Sequence, residues 1–232
     1  MSENRKFSVL MSVYIKENPA FLKEAVESIL HQTLQPSEVV IVEDGPLTPE
    51  LYQVLEELEA QSSIPIKRCP LEQNRGLGLA LKYGVTQCQY DVIARMDTDD
   101  IAVEDRFEQQ FELMETENLD LLGGHIAEFI DQPDEIVSYR RVPIKHQDII
   151  VYQRMRSAFN HMTVMFKKEM VLKAGNYEDG LYMEDDLLWL NMISAGARTG
   201  NVDQILCKVR VGAGMFERRG GLRYLKLYRQ AR

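Results

Sequence analysis

The chain has 232 residues, 45% of them hydrophobic and 27% charged, which is enough for one domain with a substantial core and too short for two separate ones. Its net charge of −9 argues against a general nucleic-acid binder, which needs basic surface to release counterions from phosphates. No run approaches the roughly 18 apolar residues that cross a bilayer, the N-terminus leads into a strand without a signal-peptide pattern, and a cytoplasmic protein is expected.

Phe7 to Val13 is a short apolar run with β-branched members and predicts a strand buried on both faces. Phe21, Leu22, Ala25, Val26, Ile29 and Leu30 then line one side of a helix. Glu38 to Val42 predicts a second buried strand, stopped by Glu43-Asp44-Gly45-Pro46. Leu51, Val54, Leu55 and Leu58 give the stripe of a second helix, with Thr48 as N-cap and Pro49 at the first helical position. Ile64 to Cys69 predicts a strand, Asn74 to Thr86 a helix, and Tyr90 to Arg95 a strand running into Met96-Asp97-Thr98-Asp99-Asp100.

Strands alternating with helices indicate an α/β fold with a parallel sheet, whose ligands bind at the carboxyl ends of the strands. Asp44 and the cluster from Asp97 to Asp100 both fall at such ends. Beyond residue 104 the pattern is mixed: a helix through Phe107, Phe111 and Met114, strands near Leu119 to Ile130 and Ile136 to Val142, and helices near 146–156 and 184–195. No linker or repeat interrupts it. The chain therefore reads as a single domain, with residues 1–100 and 101–215 as its two halves, which the family resemblance given below makes nucleotide-binding and acceptor-binding, and 216–232 as a basic loop and helix. Cys69, Cys88 and Cys207 are odd in number and far apart, which predicts idle or buried thiols rather than disulfides or a zinc site.

Asp97, Asp99 and Asp100 repel one another at a buried loop end unless a cation offsets them. All-oxygen ligands favour a hard ion, Mg²⁺ or Mn²⁺. The bland alternative is a solvated loop whose aspartate caps a helix beginning near Val103. Gly76 and Gly78 do not fit a dinucleotide fingerprint, because they precede a late helix, and close packing of that helix on the sheet suffices for both.

Ser8 to Tyr14, Ser28-Ile29-Leu30-His31-Gln32-Thr33, Val42-Glu43-Asp44-Gly45, Asn74 to Ala80, the aspartate cluster and Glu184-Asp185-Asp186 occur in this order. Together they resemble the signature of family 2 glycosyltransferases with the GT-A, or nucleotide-diphospho-sugar transferase, fold: a mostly parallel central sheet flanked by helices. Val42 to Thr48 and Arg218-Arg219-Gly220-Gly221 resemble in particular the bacterial exopolysaccharide and capsule branch, including amylovoran-type enzymes.

The resemblance implies a UDP-sugar donor, Mn²⁺ or Mg²⁺, and a glycan or lipid-diphosphate-linked acceptor in cell-surface polysaccharide assembly. It implies that Asp44 accepts from uracil N3–H, that Ser12 contacts the uracil ring, and that Arg75 reaches the base or diphosphate. Asp97 and Asp99 become the Asp-X-Asp pair, with Asp99 on ribose or metal and Asp100 a further metal candidate. Asp185, beside Glu184, becomes the general base of a single inverting displacement. His161 falls on the acceptor side, Trp189 is expected in the core, and Arg218 and Arg219 are expected to form a lid over the diphosphate. Leu222, Leu225, Arg223, Lys226 and Arg229 form a short basic amphipathic pattern suited to the inner membrane leaflet. Two rival functions are a sugar-phosphate nucleotidylyltransferase, whose glycine-rich opening loop is missing after Val13, and a non-catalytic nucleotide- or glycan-binding module.

Overall fold

The computed structural model describes residues 5–179 and 183–212. Arg218, Arg219 and the basic segment 216–232 lie outside the described residues.

Strands β1 (Ser8–Val13) and β2 (Glu38–Glu43) run side by side and parallel. Their side chains alternate between faces, so both faces must be apolar. Val9, Met11, Val13, Val39 and Ile41 enter one core, while Leu10, Val40 and Val42 enter the other. The first core is closed by α1 (Pro19–Leu30), α2 (Pro49–Gln61) and α4 (Arg106–Glu117). The second is closed by α3 (Leu77–Gln87) and α7 (Glu184–Ser194), with Trp189 fully buried there as expected. Thr48 caps α2 by accepting from Leu51 N at 3.3 Å, with Pro49 next. Asn18 caps α1 in the same way, accepting from Ala20 N at 2.9 Å.

The remaining elements are β3 (Ile66–Pro70), β4 (Val92–Arg95), β5 (Ile101–Ala102), β6 (Leu121–Phe129), β7 (Ile136–Arg140), α5 (His146–Gln153), β8 (Met165–Lys167), α6 (Lys168–Lys173) and β9 (Thr199–Arg210). They complete a sheet ordered β3-β2-β1-β4-β8-β6-β9-β5, with β7 paired to β6. The parallel arrangement expected from the sequence holds from β3 to β4. Beyond β4 the pairing is mixed: β8 is antiparallel to both β4 and β6, β6 is parallel to β9, and β5 and β7 are antiparallel to their neighbours.

Two glycines correct the sequence reading. Gly76 stands before α3 at φ +85 with nothing crowding its Cβ position, so it is required by backbone conformation rather than packing. A Cβ on Gly78 would sit 2.3 Å from Glu178 O and 3.0 Å from Glu184 Cβ, so it packs on the segment leading into α7, whereas Gly84 is the glycine that meets the sheet. The predicted helix from Asn74 accordingly starts at Leu77, because residues 74–76 are occupied elsewhere. All three cysteines are free and buried, as expected.

Candidate active site

Parallel strands deliver their carboxyl ends to one edge, and the predicted acids gather there. Ser12 of β1 is opposite Val42 of β2, and its carbonyl accepts from Thr98 Oγ1 at 3.4 Å. Asp44 leaves β2 one residue later with its amide on Val13 O at 2.8 Å, and Met96 N donates to Leu10 O at 3.1 Å. These bonds bring Ser12, Asp44 and the aspartate loop to adjacent strand ends.

Asp44 is nearly fully engaged by its own chain. Its carboxylate accepts from Arg75 N at 2.7 Å, Gly76 N at 3.0 Å and Asn74 Nδ2 at 3.0 Å. A carboxylate offers about four acceptor positions, so roughly one remains for a ligand. Arg75 is exposed, and its side chain has no ion pair among the described residues. Neighbouring Glu43, which the sequence reading did not single out, is buried and accepts from Arg68 Nε at 2.6 Å.

Asp97, Asp99 and Asp100 can each present one carboxylate oxygen, all within 4.8 Å of one another. The helix expected near Val103 does not begin there: β5 intervenes and α4 opens at Arg106 without a side-chain cap. The aspartates therefore do not serve as helix caps. Asp100 is buried and accepts from Arg210 N at 3.0 Å, and burial followed by the charges of Asp97 and Asp99 pushes its carboxyl well above the usual range. Surrounding protein mass, then Asp97 and Glu17, pushes Asp99 up to about 7, although its rim position gives water some access that moderates the effect. Glu17, also missed in the sequence, accepts from Thr98 Oγ1 at 2.6 Å. Asp97 is ion-paired with the buried guanidinium of Arg95. This crowd of hard oxygens fits a divalent cation of the Mg²⁺ or Mn²⁺ type.

The motif from Ser28 to Thr33 explains how the aspartate loop is held. Ser28 Oγ accepts from Ala102 N at 3.1 Å, Gln32 Nε2 donates to Val103 O at 2.7 Å, Gln32 Oε1 accepts from Phe107 N at 3.2 Å, and Thr33 N donates to Glu104 O at 2.9 Å. These residues pin the chain following Asp100 onto α1 and are structural.

The second acidic group opens α7, where Glu184 meets Gly78 of α3. Asp186 is buried and accepts from Gln153 Nε2 at 2.6 Å, so it supports α5 rather than the site. Asp185 accepts from Asp186 N at 2.8 Å. Burial first, then the charges of Glu184 and Asp186, pushes its carboxyl up to about 6, while Arg95 acts in the opposite direction. Glu184 is raised as well, chiefly by burial. Both acids feel Arg95, as Asp99 and Asp100 do, so one buried cation links the two acidic groups. His161 Nε2 lies 2.9 Å from the Tyr177 hydroxyl and stacks at an angle against Tyr177 and Trp189. Burial and then Arg95 hold its imidazole well below the usual range, so it is neutral.

The sequence and the fold have known counterparts. The profile of glycosyl transferase family 2 matches residues 8–175. The chain belongs to glycosyltransferase family 2. It is 42% identical over 95% of its length to the amylovoran biosynthesis glycosyltransferase AmsE of Erwinia amylovora, covering 82% of that protein. It is 39% identical over 94% of its length to the Escherichia coli UDP-Gal:alpha-D-GlcNAc-diphosphoundecaprenol beta-1,3-galactosyltransferase, covering 79% of it. Among solved structures, Staphylococcus aureus TarS 1-349 in complex with UDP-GlcNAc superposes with a TM-score of 0.76 at 16% identity, over 97% of this chain and 65% of that one. The mannosyltransferase PcManGT of Pyrobaculum calidifontis, in complex with GDP-Man and Mn²⁺, gives 0.72 at 15% identity, over 96% of this chain and 62% of that one. These solved chains are longer, and this chain spans less than two thirds of each. The family 2 chain thus has the expected GT-A fold and is a glycosyltransferase similar to those of bacterial polysaccharide assembly, which removes the nucleotidylyltransferase reading. Among the described residues, no helix is long and apolar enough to cross a membrane.

Proposed function

We propose that this family 2 glycosyltransferase transfers a sugar from a UDP-sugar, with inversion, onto a hydroxyl of a glycan or lipid-diphosphate-linked saccharide. The observation carrying this reading is a hard-oxygen cluster at the strand ends together with a raised-pKa carboxylate, Asp185, that feels the charge of the same buried arginine, Arg95. The E. coli relative, by its name, acts on a diphosphoundecaprenol-linked sugar, which supports a lipid-linked acceptor. The TarS complex with UDP-GlcNAc supports a uridine donor, and the PcManGT complex with Mn²⁺ supports a divalent ion.

In this reading Ser12 and the open position of Asp44 hold the uracil, and Arg75 reaches the diphosphate with charge-assisted bonds. Asp99 and Asp100, with Asp97 beside them, would hold Mn²⁺ or Mg²⁺, which would supply positive charge to offset that of the nucleoside diphosphate leaving group. Asp185 accepts the proton of the acceptor hydroxyl as that oxygen attacks the anomeric carbon from the face opposite the leaving group. One displacement breaks one bond and forms one, so no covalent sugar-enzyme intermediate is needed, unlike a retaining glycosidase. Residues 1–100 serve as the nucleotide half and 101–215 as the acceptor half, and Arg210 N on Asp100 ties the second to the first.

Calorimetry tests the reading. Mn²⁺ and UDP are expected to bind each other's complexes more tightly than the free protein, and Asp99→Ala is expected to abolish this enhancement. Equal affinities with and without the partner ligand would overturn it.

A further inference from the structure

The surface at the end of α5 combines exposed apolar side chains with positive charge. Among the described residues, the two most exposed large hydrophobic side chains are Met155, 76% exposed, and Val151, 64% exposed. The helical course continues through Arg154, and Met155 N donates to Tyr152 O at 3.0 Å. α5 buries Ile149 and Gln153, so Val151 and Met155, four residues apart, project from the side turned away from the core, with Arg154 beside them. From Ile136 to Asn160 the chain holds Arg140, Arg141, Lys145, Arg154 and Arg156 against the single acid Asp148, whereas its net charge as a whole is −9. Arg141, Lys145, Arg154 and Arg156 are exposed and make no ion pair among the described residues. The two segments that carry these charges are tied together: Arg140 Nη2 donates to Ser157 O at 3.4 Å, and Asn201 Nδ2 donates to both Pro143 O at 2.6 Å and Ala158 O at 3.1 Å.

Apolar side chains exposed singly need no explanation, but a pair one helical turn apart, set among basic residues on an acidic protein, has a specific counterpart. A bilayer containing anionic lipid attracts Lys and Arg at its surface and takes apolar side chains into its interface. A small soluble anion would answer the charge and leave Val151 and Met155 in water. We propose that the outward side of α5, with Arg141, Lys145, Arg154 and Arg156, is a docking face for an anionic phospholipid bilayer. Asp148, three residues before Val151, confines the contact to the C-terminal end of the helix. Gln153, the last residue of α5, donates from Nε2 to Asp186 at 2.6 Å, so this face stands one hydrogen bond from the start of α7, where Asp185 lies. Docking here would turn the acceptor half toward the lipid surface. Only that orientation rests on the proposed role of Asp185; the docking does not, and it is separate from the basic segment 216–232.

The test uses the full chain and vesicles of phosphatidylcholine with or without phosphatidylglycerol, read by sedimentation. The wild-type protein should bind the vesicles that contain phosphatidylglycerol, and added salt should weaken that binding. The double variant Arg154→Gln with Arg156→Gln should lower the partition about tenfold or more, while UDP and Mn²⁺ binding by calorimetry stays as in the wild type. A contact made by the segment 216–232 alone would leave the double variant at the wild-type level. Insertion is read separately. The three native cysteines are buried, so an environment-sensitive fluorophore attached through Met155→Cys reports its own surroundings, and its emission should shift to the blue on vesicles with phosphatidylglycerol. The same probe attached through Glu56→Cys, exposed on α2 over the other face of the sheet, should not shift. No partition of the wild-type protein, an unchanged partition of the double variant, or an unshifted probe at position 155 overturns the proposal. Failure of the wild-type protein to bind UDP or Mn²⁺ would instead bring down the proposed function and leave the docking face standing.

Discussion

The two acid-rich segments of this site use the same residue types to different ends. On the loop after β4, Asp97, Asp99 and Asp100 converge until an oxygen of each lies within 4.8 Å of the others. At the start of α7, helical geometry fans Glu184, Asp185 and Asp186 apart: Asp186 turns inward to Gln153, Glu184 faces α3, and Asp185 is left half-buried between them. Convergence creates a ligand set that calls for an external cation. Dispersal creates one structural acid and one carboxylate whose pKa is set by burial and by its neighbours. The largest expected effect follows from this contrast. Asp185→Asn removes the proposed base without touching the loop, so turnover should fall about 10²–10⁴-fold, with UDP and Mn²⁺ affinities near wild type by calorimetry. Unchanged turnover would remove Asp185 as the base and erase the functional distinction between the two segments.

A smaller effect sharpens the comparison through pH. Asp185 is raised to about 6, so it is ionised at neutral pH and becomes protonated as pH falls through that value. The rate should therefore rise with pH through about 6 and level off above it, if proton removal contributes to the slow step. Glu184→Gln removes a like charge that favours the protonated form of Asp185. The acidic limb should then move to lower pH in a pH profile of kcat/KM. Disappearance of the limb would mean that Glu184 itself is the titrating group.

Much of this was legible because it is local. The buried strands at Ser8–Val13 and Glu38–Glu43, the cap Thr48 and the helical stripes depend on residues a few positions apart, where period and turn chemistry speak directly. β9 escaped notice because Thr199 to Arg210 mixes polar and apolar residues, its polar members being satisfied by distant partners such as His146 on Thr199 Oγ1 at 2.8 Å. β8, with three residues, is too short to carry a period. The site divides in the same way. The aspartate cluster and the α7 acids announce themselves as runs, but Arg95 is an ordinary strand residue until folding pairs it with Asp97 and brings its charge to bear on the α7 acids. Glu43 is likewise defined by Arg68, and Glu17 by Thr98, across separations that no local pattern encodes. The motif from Ser28 to Thr33 was recognisable as a signature, yet its work, bonding to Ala102, Val103, Glu104 and Phe107, became readable only in three dimensions.

The smallest expected effect concerns Asp186, and it separates position from charge within the dispersed segment. Asn at this position keeps a side-chain oxygen to accept from Gln153, whose own oxygen holds Ala158 N at 2.7 Å, so the junction between α5 and α7 should survive. A charged acceptor is exchanged for a neutral one, and a cost of about 1 kcal/mol or less in denaturant unfolding is expected. What changes is the field on Asp185, because the carboxylate of Asp186 is one of the charges raising its pKa. Removing that charge lowers the pKa, so the acidic limb should shift down by a fraction of a unit while the plateau rate stays within about twofold, as expected of an acid bonded to Gln153 of α5. A large loss of plateau rate with the fold intact would place Asp186, rather than Asp185, in contact with the acceptor. It would also mean that α7 presents its acids to the substrate in a rotation opposite to the one its bond to Gln153 indicates.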